Sequence, residues 1–438
     1  MSVLDEKSIF LAMKQDGPFA VQQSICFDHP FSRQIRTWTQ VFCKDRITVT
    51  RYRAVRGQIF DLLQVDSFDE IPVLLRDQAL RDERTQRAYV LLGNLFGISG
   101  ELSEVRSKIH EYAATADAVI GYLKNKVLAA YSSHIEISNE IETTQNPIDL
   151  LLICFDNRYH KKIRFEAKRK LVLMGLAGSI DQRERETDIE NKFSNFLNFH
   201  NQQVWSSKLK IGELEIAYLF SRHDPKDFSC TQVEVLDAQS AKTLHGFSPR
   251  EKLTLIKRRL FHDRGREIPV YVTVRKKDSA AKVLKLLRKN EKNPAVAVDD
   301  ELGLMAVLDN INHVNRFLRH LTRAAVKADS FMILEDISDT LTGGQYQANN
   351  VGSSGRTQML KFFARLGGMR VEFIIHTNQS YLNYRYQRDI SHDEYEVRRL
   401  FDTGVTDFLF PPDIYYLDMA QTRQSQLLNF RKAIEQVE

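Results

Sequence analysis

The sequence predicts an α+β protein whose last 190 residues or so form an α/β domain on a mixed sheet. Three observations carry that expectation. From residue 248 onward, β-branched runs alternate with apolar residues at helical spacing, as strands covered by helices do. Between residues 76 and 140 the apolar residues recur at helical spacing alone. The composition is that of a packed globular chain: 43% of the 438 residues are hydrophobic and 27% charged. Disordered, collagenous and coiled-coil chains lie far from that balance.

No internal repeat or low-complexity tract interrupts the chain. At roughly 150 residues per domain, the length suggests two or three domains. The expected divisions are a mixed region ending in helices over 1–140, a mixed α/β region over 141–247, and an α/β domain over 248–438.

Taken in order, RITVTRYRAV and QIFDLLQV read as short β-rich runs. Leu80, Ala88, Leu91 and Leu95, then Val119, Leu123 and Val127, mark helices that break at GISGE near Gly97. LLLICF and KLKIGELEIAYLF are strand candidates, and ETDIENKFSNFLNFH is a helix with Thr187 or Asp188 as N-cap. SPREKLTLIKRRLF reads as a helix, with Ser248 as N-cap and Pro249 at its first position. IPVYVTV is a strand from Ile268 to Val274, and DSAAKVLKLLRKN a basic helix capped by Asp278 or Ser279. AVAVDDELGLMAVLD reads as strand, turn and strand; HVNRFLRHLTRAAV as a helix; Phe331–Leu334 as a strand. Residues 341–356 are a Gly/Asn/Ser-rich stretch, read as a mobile loop rather than a phosphate cradle. TQMLKFFARLGG is a strand or helix ending at Gly367 and Gly368, MRVEFIIHT a strand to Thr377, and SHDEYEVRRLF a helix capped by Ser391.

Several function classes are excluded at this level. The longest clean apolar run is about five residues, against roughly 20 for a spanning helix, so no transmembrane segment is expected. The first residues carry acids and no apolar core, unlike a signal peptide. Cys26, Cys43, Cys154 and Cys230 are widely separated and form no CxxC pair. That argues against a disulfide scaffold or zinc knuckle and for the cytoplasm. The histidines show no HExxH or HxH spacing, and GSSG at 352–355 lacks the GxSxG form of a nucleophile elbow.

The formal net charge of +5 is unevenly spread, because residues 250–292 hold 15 Lys and Arg against five acids. Such density across a strand, a turn and a helix N-terminus suits polyphosphate or RNA, although a solvated helix face is the plainer alternative. Asp299 and Asp300 end a short apolar strand, and Glu372 lies inside the apolar strand VEFIIHT. Glu372 either faces solvent or serves a site, since an unpaired carboxylate in a core is costly. Two carboxylates on neighbouring strands would bind Mg²⁺ and, through it, a nucleoside triphosphate.

These residues, in this order, resemble the synthetase domain of RelA/SpoT-type alarmone synthetases over about residues 268–400. The family's Arg-x-Lys segment after a strand is matched by Arg275 and Lys277 in VYVTVRKKDSAAKVLKLLRK, with Ser279 and Lys282 beyond. Its Asp-x-x-Gly turn is matched by Asp300 and Gly303, and its catalytic Glu strand by Glu372 and Thr377. The resemblance implies a nucleotidyltransferase-like fold, ATP as donor and a nucleotide or RNA as acceptor. It implies Mg²⁺ on Asp300 and Glu372, with Arg275, Lys277, Ser279 and Lys282 on the donor phosphates. The family's Asn-Gly-Tyr-Gln-Ser-Leu-His block has no counterpart here, and Tyr346 is the nearest candidate for its acceptor-stacking ring. The Arg that follows the family's turn is Leu304. A degenerate, non-catalytic nucleotide- or RNA-binding module is the alternative. A second alternative rests on Asp149, Glu166 and Lys168, which are similar to a PD-(D/E)xK nuclease pattern; that chemistry requires two adjacent strands.

Overall fold

The computed structural model describes residues 37, 40, 41, 43–68, 70–156, 158–206, 214–244, 246–298, 300–344 and 357–436. The chain forms two compact units: Met1–Ala114 with Ile137–Gly175, and Thr115–Glu136 with Leu176–Glu438.

The described part of the first unit is helical. RITVTRYRAV and QIFDLLQV are not strands; together they supply one helix, Arg46–Leu63, whose N-cap Asp45 accepts from the Ile47 amide. LLLICF likewise falls in the helix Pro147–Phe155, capped by Asn146. β-Branched residues only weakly disfavour a helix, and tertiary packing overrides that preference. Here Leu63, Ile71, Leu74, Ala88, Ile148 and Leu152 bury one another in a shared core. The expected break is present: Gln78–Phe96 ends at Gly97, whose φ of 59° is the left-handed cap that glycine adopts freely. Asp149 sits in the first turn of Pro147–Phe155, and Glu166 and Lys168 lie on the helix Lys161–Thr187. The two-strand frame required by the nuclease reading is thus absent among the described residues there. Glu166 is fully buried and accepts from the Ser138 amide at 3.0 Å, a structural role.

The second unit is built on an eight-stranded sheet. Its strands are β1 Glu215–His223, β2 Cys230–Leu236, β3 Glu251–Asp263, β4 Arg266–Lys276, β5 Leu302–Leu308, β6 Ile333–Asp339, β7 Leu360–Leu366 and β8 Met369–Thr377. The order across the sheet is β2-β1-β3-β4-β5-β8-β7-β6. Only β5 and β8 pair in parallel; the other neighbours are antiparallel. The fold class is α+β with a mixed sheet, as the sequence predicts.

Three segments depart from expectation. The segment after Ser248 is strand β3, paired on both sides, because its apolar residues fit either period and the sheet decides between them. A two-residue hairpin loop joins β3 to β4, with φ of 51° at Arg264 and 78° at Gly265, the geometry of a primed turn. AVAV is a short helix, Pro294–Ala297, capped by Asn293 rather than a strand. The strand expected at Phe331–Leu334 begins at Ile333 and runs to Asp339.

Strand periodicity separates two faces of this sheet. Val274, Leu304, Phe373 and Phe362 stand side by side across β4, β5, β8 and β7. They join a core with Val314, Phe317 and Leu321 of the helix Ile311–Lys327 and Phe196 of Ile189–Phe199. Phe362 and Phe373 stack with centroids 5.0 Å apart. The residues one position along each strand point the other way, and they form the site.

Candidate functional site: a cation-lined cleft

The row next to the core row is Arg275, Gly303, Glu372 and Phe363. Arg275 and Glu372 are separated by the strand that carries Gly303. The guanidinium crosses over that glycine to donate from Nη2 to Glu372 Oε2 at 3.0 Å. A Cβ at Gly303 would lie 3.1 Å from Arg275 Nε. The absent side chain is therefore what lets the ion pair span two strand spacings. Lys361 on β7 completes the group, its Nζ 2.8 Å from Glu372 Oε1. Glu372 is 4% exposed, facing neither the apolar core nor open solvent.

The second carboxylate is fixed by strand ends. Lys277 and Asp300 flank β4 and β5, and the Lys277 amide donates to Glu301 O at 2.8 Å. Lys277 Nζ lies 2.7 Å from Asp300 Oδ2, and Lys285 Nζ 2.7 Å from Oδ1. Lys285 comes from the helix Ser279–Lys289, started by Asp278 accepting from the Ala281 amide. Burial pushes the Asp300 carboxyl up, but Lys277 and Lys285 outweigh it and hold the group well below the usual carboxylate range. Burial also lowers Lys277, opposed by Asp300.

The opposite wall is aromatic and polar. Tyr384, from the helix Asn378–Tyr386, lies 5.2 Å from His376 and 5.2 Å from His392, centroid to centroid. Burial raises the Tyr384 phenol. Burial lowers His392, with Glu396 and Asp393 acting the other way. Arg288 pairs with Glu396 at 2.7 Å and Lys126 with Asp393 at 2.7 Å.

The cleft between these walls has a volume of about 1270 Å³. Its lining holds nine Lys and Arg against six Asp and Glu, so its field favours anions. Of the residues singled out from sequence, Arg275, Lys277, Asp300 and Glu372 meet here. Ser279 and Lys282 are not in the lining. The Lys282 side chain is 1% exposed, held between Glu184 at 2.6 Å and Glu301 at 2.9 Å. Asp299 and Tyr346 lie outside the described residues. Sequence reasoning missed Lys285, Lys361 and the Tyr384–His392 pair as site members, and placed Gly303 only as the glycine of the Asp-x-x-Gly turn. Lys361 was legible in principle, because it shares the strand alternation of LKFFARL with Phe363 on the same face.

A resident Mg²⁺ would need carboxylate oxygens free to coordinate it. Each oxygen of Asp300 and Glu372 already faces a cation. Among the described residues, no group of three or more His, Cys, Asp or Glu side chains is placed to hold a metal ion. The arrangement does not fit a resident divalent ion; it fits an anion that can take over four ammonium and guanidinium groups.

Gly303→Val tests the crossing geometry. Valine favours strands, yet here it is expected to destabilise by about 1–3 kcal/mol and to break the Arg275–Glu372 ion pair, because its side chain displaces Arg275. Urea unfolding that matches wild type would remove the crossing argument.

The fold and the cleft define an α+β protein with a mixed sheet and an anion-favouring cleft on one sheet face. No family model, no curated protein and no solved structure matches the chain. Among the described residues, no helix is long and apolar enough to cross a membrane.

Proposed function

We propose that the cleft binds the polyphosphate of ATP and transfers a pyrophosphoryl or nucleotidyl group to a nucleotide or RNA acceptor. The resemblance to alarmone synthetases suggests this reading. One observation carries it: Arg275, Lys277, Lys285 and Lys361 converge around Asp300 and Glu372 in one cleft. Transfer between polyanions requires charge neutralisation and positioning above all. In pyrophosphoryl transfer, the acceptor oxygen bonds the β-phosphorus of ATP, the α–β bridging bond breaks and AMP leaves. Glu372 takes the proton of the acceptor hydroxyl. Asp300 keeps Lys277 and Lys285 in place until phosphate replaces it as their partner. Mg²⁺ arrives in this reading as the counter-ion of the nucleotide. Tyr384 and His392 offer ring surface for a base on the far wall. This reading places the protein in the cytoplasm, where ATP and RNA are at hand.

The pairing of every Asp300 and Glu372 oxygen with a cation favours a second reading, a binding module without transfer. ATP labelled at the α-phosphate, which follows nucleotidyl transfer, or at the β- or γ-phosphate, which follows pyrophosphoryl transfer, with Mg²⁺ and in turn GDP, GTP, ADP and bulk tRNA, separates the two. Label is expected on one acceptor with wild type and on none with Glu372→Gln. If folded wild-type protein binds ATP but labels no acceptor, the transfer reading fails and the binding module stands.

A further inference from the structure

The basic stretch 250–292 does not form a single surface. Arg275, Lys277, Lys285, Arg288 and Lys289 line the cleft. Arg264 and Arg266 instead occupy the exposed tip of the β3–β4 hairpin. Beside that tip runs the helix Ile311–Lys327, which packs on the sheet face opposite the cleft. This helix contains Arg316, Arg319, Arg323 and Lys327 and no acidic residue. From Arg316 to Lys327 the stripe is about 16 Å long at 1.5 Å per residue.

Asp263 joins the two elements. It is 6% exposed and lies 3.9 Å from Arg316 Nε and 3.7 Å from Arg323 Nη1. The hairpin tip is thus held against the helix, and one carboxylate serves two arginines. Among the described residues, Arg264, Arg266, Arg319 and Lys327 have no carboxylate partner. The cleft cations, in contrast, are largely paired. Exposed cations left without partners on two rigid elements cost self-repulsion, which a polyanion relieves.

We infer that this hairpin–helix surface docks the phosphate backbone of a nucleic-acid duplex, without reading its sequence. Three of the four unpartnered cations are arginines, whose planar fork grips phosphate bidentately. The hairpin loop carries no aromatic residue, and the one phenylalanine of the helix Ile311–Lys327, Phe317, is fully buried, so neither element presents a ring for stacking on single-stranded bases and backbone contact is the mode. An anionic membrane fits less well. The apolar side of the helix, Val314, Phe317, Leu321 and Ala324, is buried in the core and cannot insert into lipid. This inference stands whether or not the cleft transfers phosphoryl groups.

Binding of the full chain to labelled RNA and DNA duplexes of about 20 base pairs, from about 50 to 200 mM salt, tests it. Wild type is expected to bind both with a log–log salt slope of about −4, each neutralised phosphate adding about 0.9. The quadruple variant Arg264→Gln, Arg266→Gln, Arg319→Gln, Lys327→Gln is expected to bind about 100-fold more weakly at low salt. Its slope should be shallower by about 3.6. The cleft variant Lys285→Gln is expected to bind duplex as wild type does. The inference is overturned if wild type binds neither duplex at low salt. It is equally overturned if the folded quadruple variant keeps wild-type affinity and slope, or if anionic vesicles are bound and duplexes ignored.

Discussion

Asp300→Asn is expected to lower folding stability by about 3 kcal/mol and, if the cleft takes ATP as proposed, to leave ATP binding in place. The stability loss follows from what the carboxylate separates. Lys277 and Lys285 both lie 2.7 Å from it, and the side chains of Asp300, Lys277 and Lys285 are 14%, 13% and 10% exposed. Asparagine keeps the shape and removes the charge, leaving two buried ammonium groups facing one another. Removing one partner of a buried ion pair costs about 3–5 kcal/mol, and the open side of the cleft places this site at the lower end. If the cleft takes ATP as proposed, the nucleotide supplies the missing anion, so it should raise the thermal midpoint of the variant more than that of wild type. Adding Lys285→Met should recover part of the loss, with a coupling of about 1–2 kcal/mol in the double-mutant cycle. An unchanged unfolding midpoint, or strictly additive single effects, would show that Asp300 does not hold the two lysines.

Acid lability is the second large effect. His200 and His376 are 1% and 0% exposed, and burial lowers each imidazole from 6.5 to about 4. A backbone carbonyl, Phe196 O for His200 and Gln358 O for His376, partly opposes that drop. In the folded state both stay neutral, while in the unfolded chain both take a proton near pH 6.5. Their contribution is therefore fully present above about pH 6.5 and is lost as pH falls toward about 4. Each drop is worth about 3 kcal/mol at the low end of that window. Asp300 acts in the same direction further down. Its carboxyl is depressed in the folded state, so its contribution is present above the unfolded value and disappears as pH falls below about 4. Urea midpoints measured from pH 8 to pH 4 should stay level to about 6.5 and then decline steeply. His200→Phe should flatten the decline between 6.5 and 4. A level profile down to pH 5 would contradict this account.

Much of the strand half of the fold was legible because its signals were local. IPVYVTV and VEFIIHT carry β-branched alternation, the helix Ser279–Lys289 has Asp278 as its cap, and GISGE supplies a glycine stop. Where the reading failed, the local signal was ambiguous. RITVTRYRAV is β-rich by residue type yet helical in the unit where Leu63 and Phe60 find an apolar core. SPREKLTLIKRRLF opens like a capped helix, but β1 and β4 pair with both of its edges. Asp149, Glu166 and Lys168 matched a motif whose chemistry needs strands, and those residues lie on helices.

The sequence alone determined which residue types were present at the site and in what order: Arg275, Lys277, Asp300 and Glu372, with an excess of basic charge around the first two. It also determined that Glu372 stands on the opposite strand face from Val371 and Phe373, because strand periodicity is a property of the backbone. Tertiary structure decided what that other face meets. The register places Gly303 between Arg275 and Glu372, brings Lys361 from a neighbouring strand, and turns Lys285 rather than Lys282 toward Asp300. The partners of a charge are chosen by strand order and helix rotation, which depend on contacts far apart in the chain.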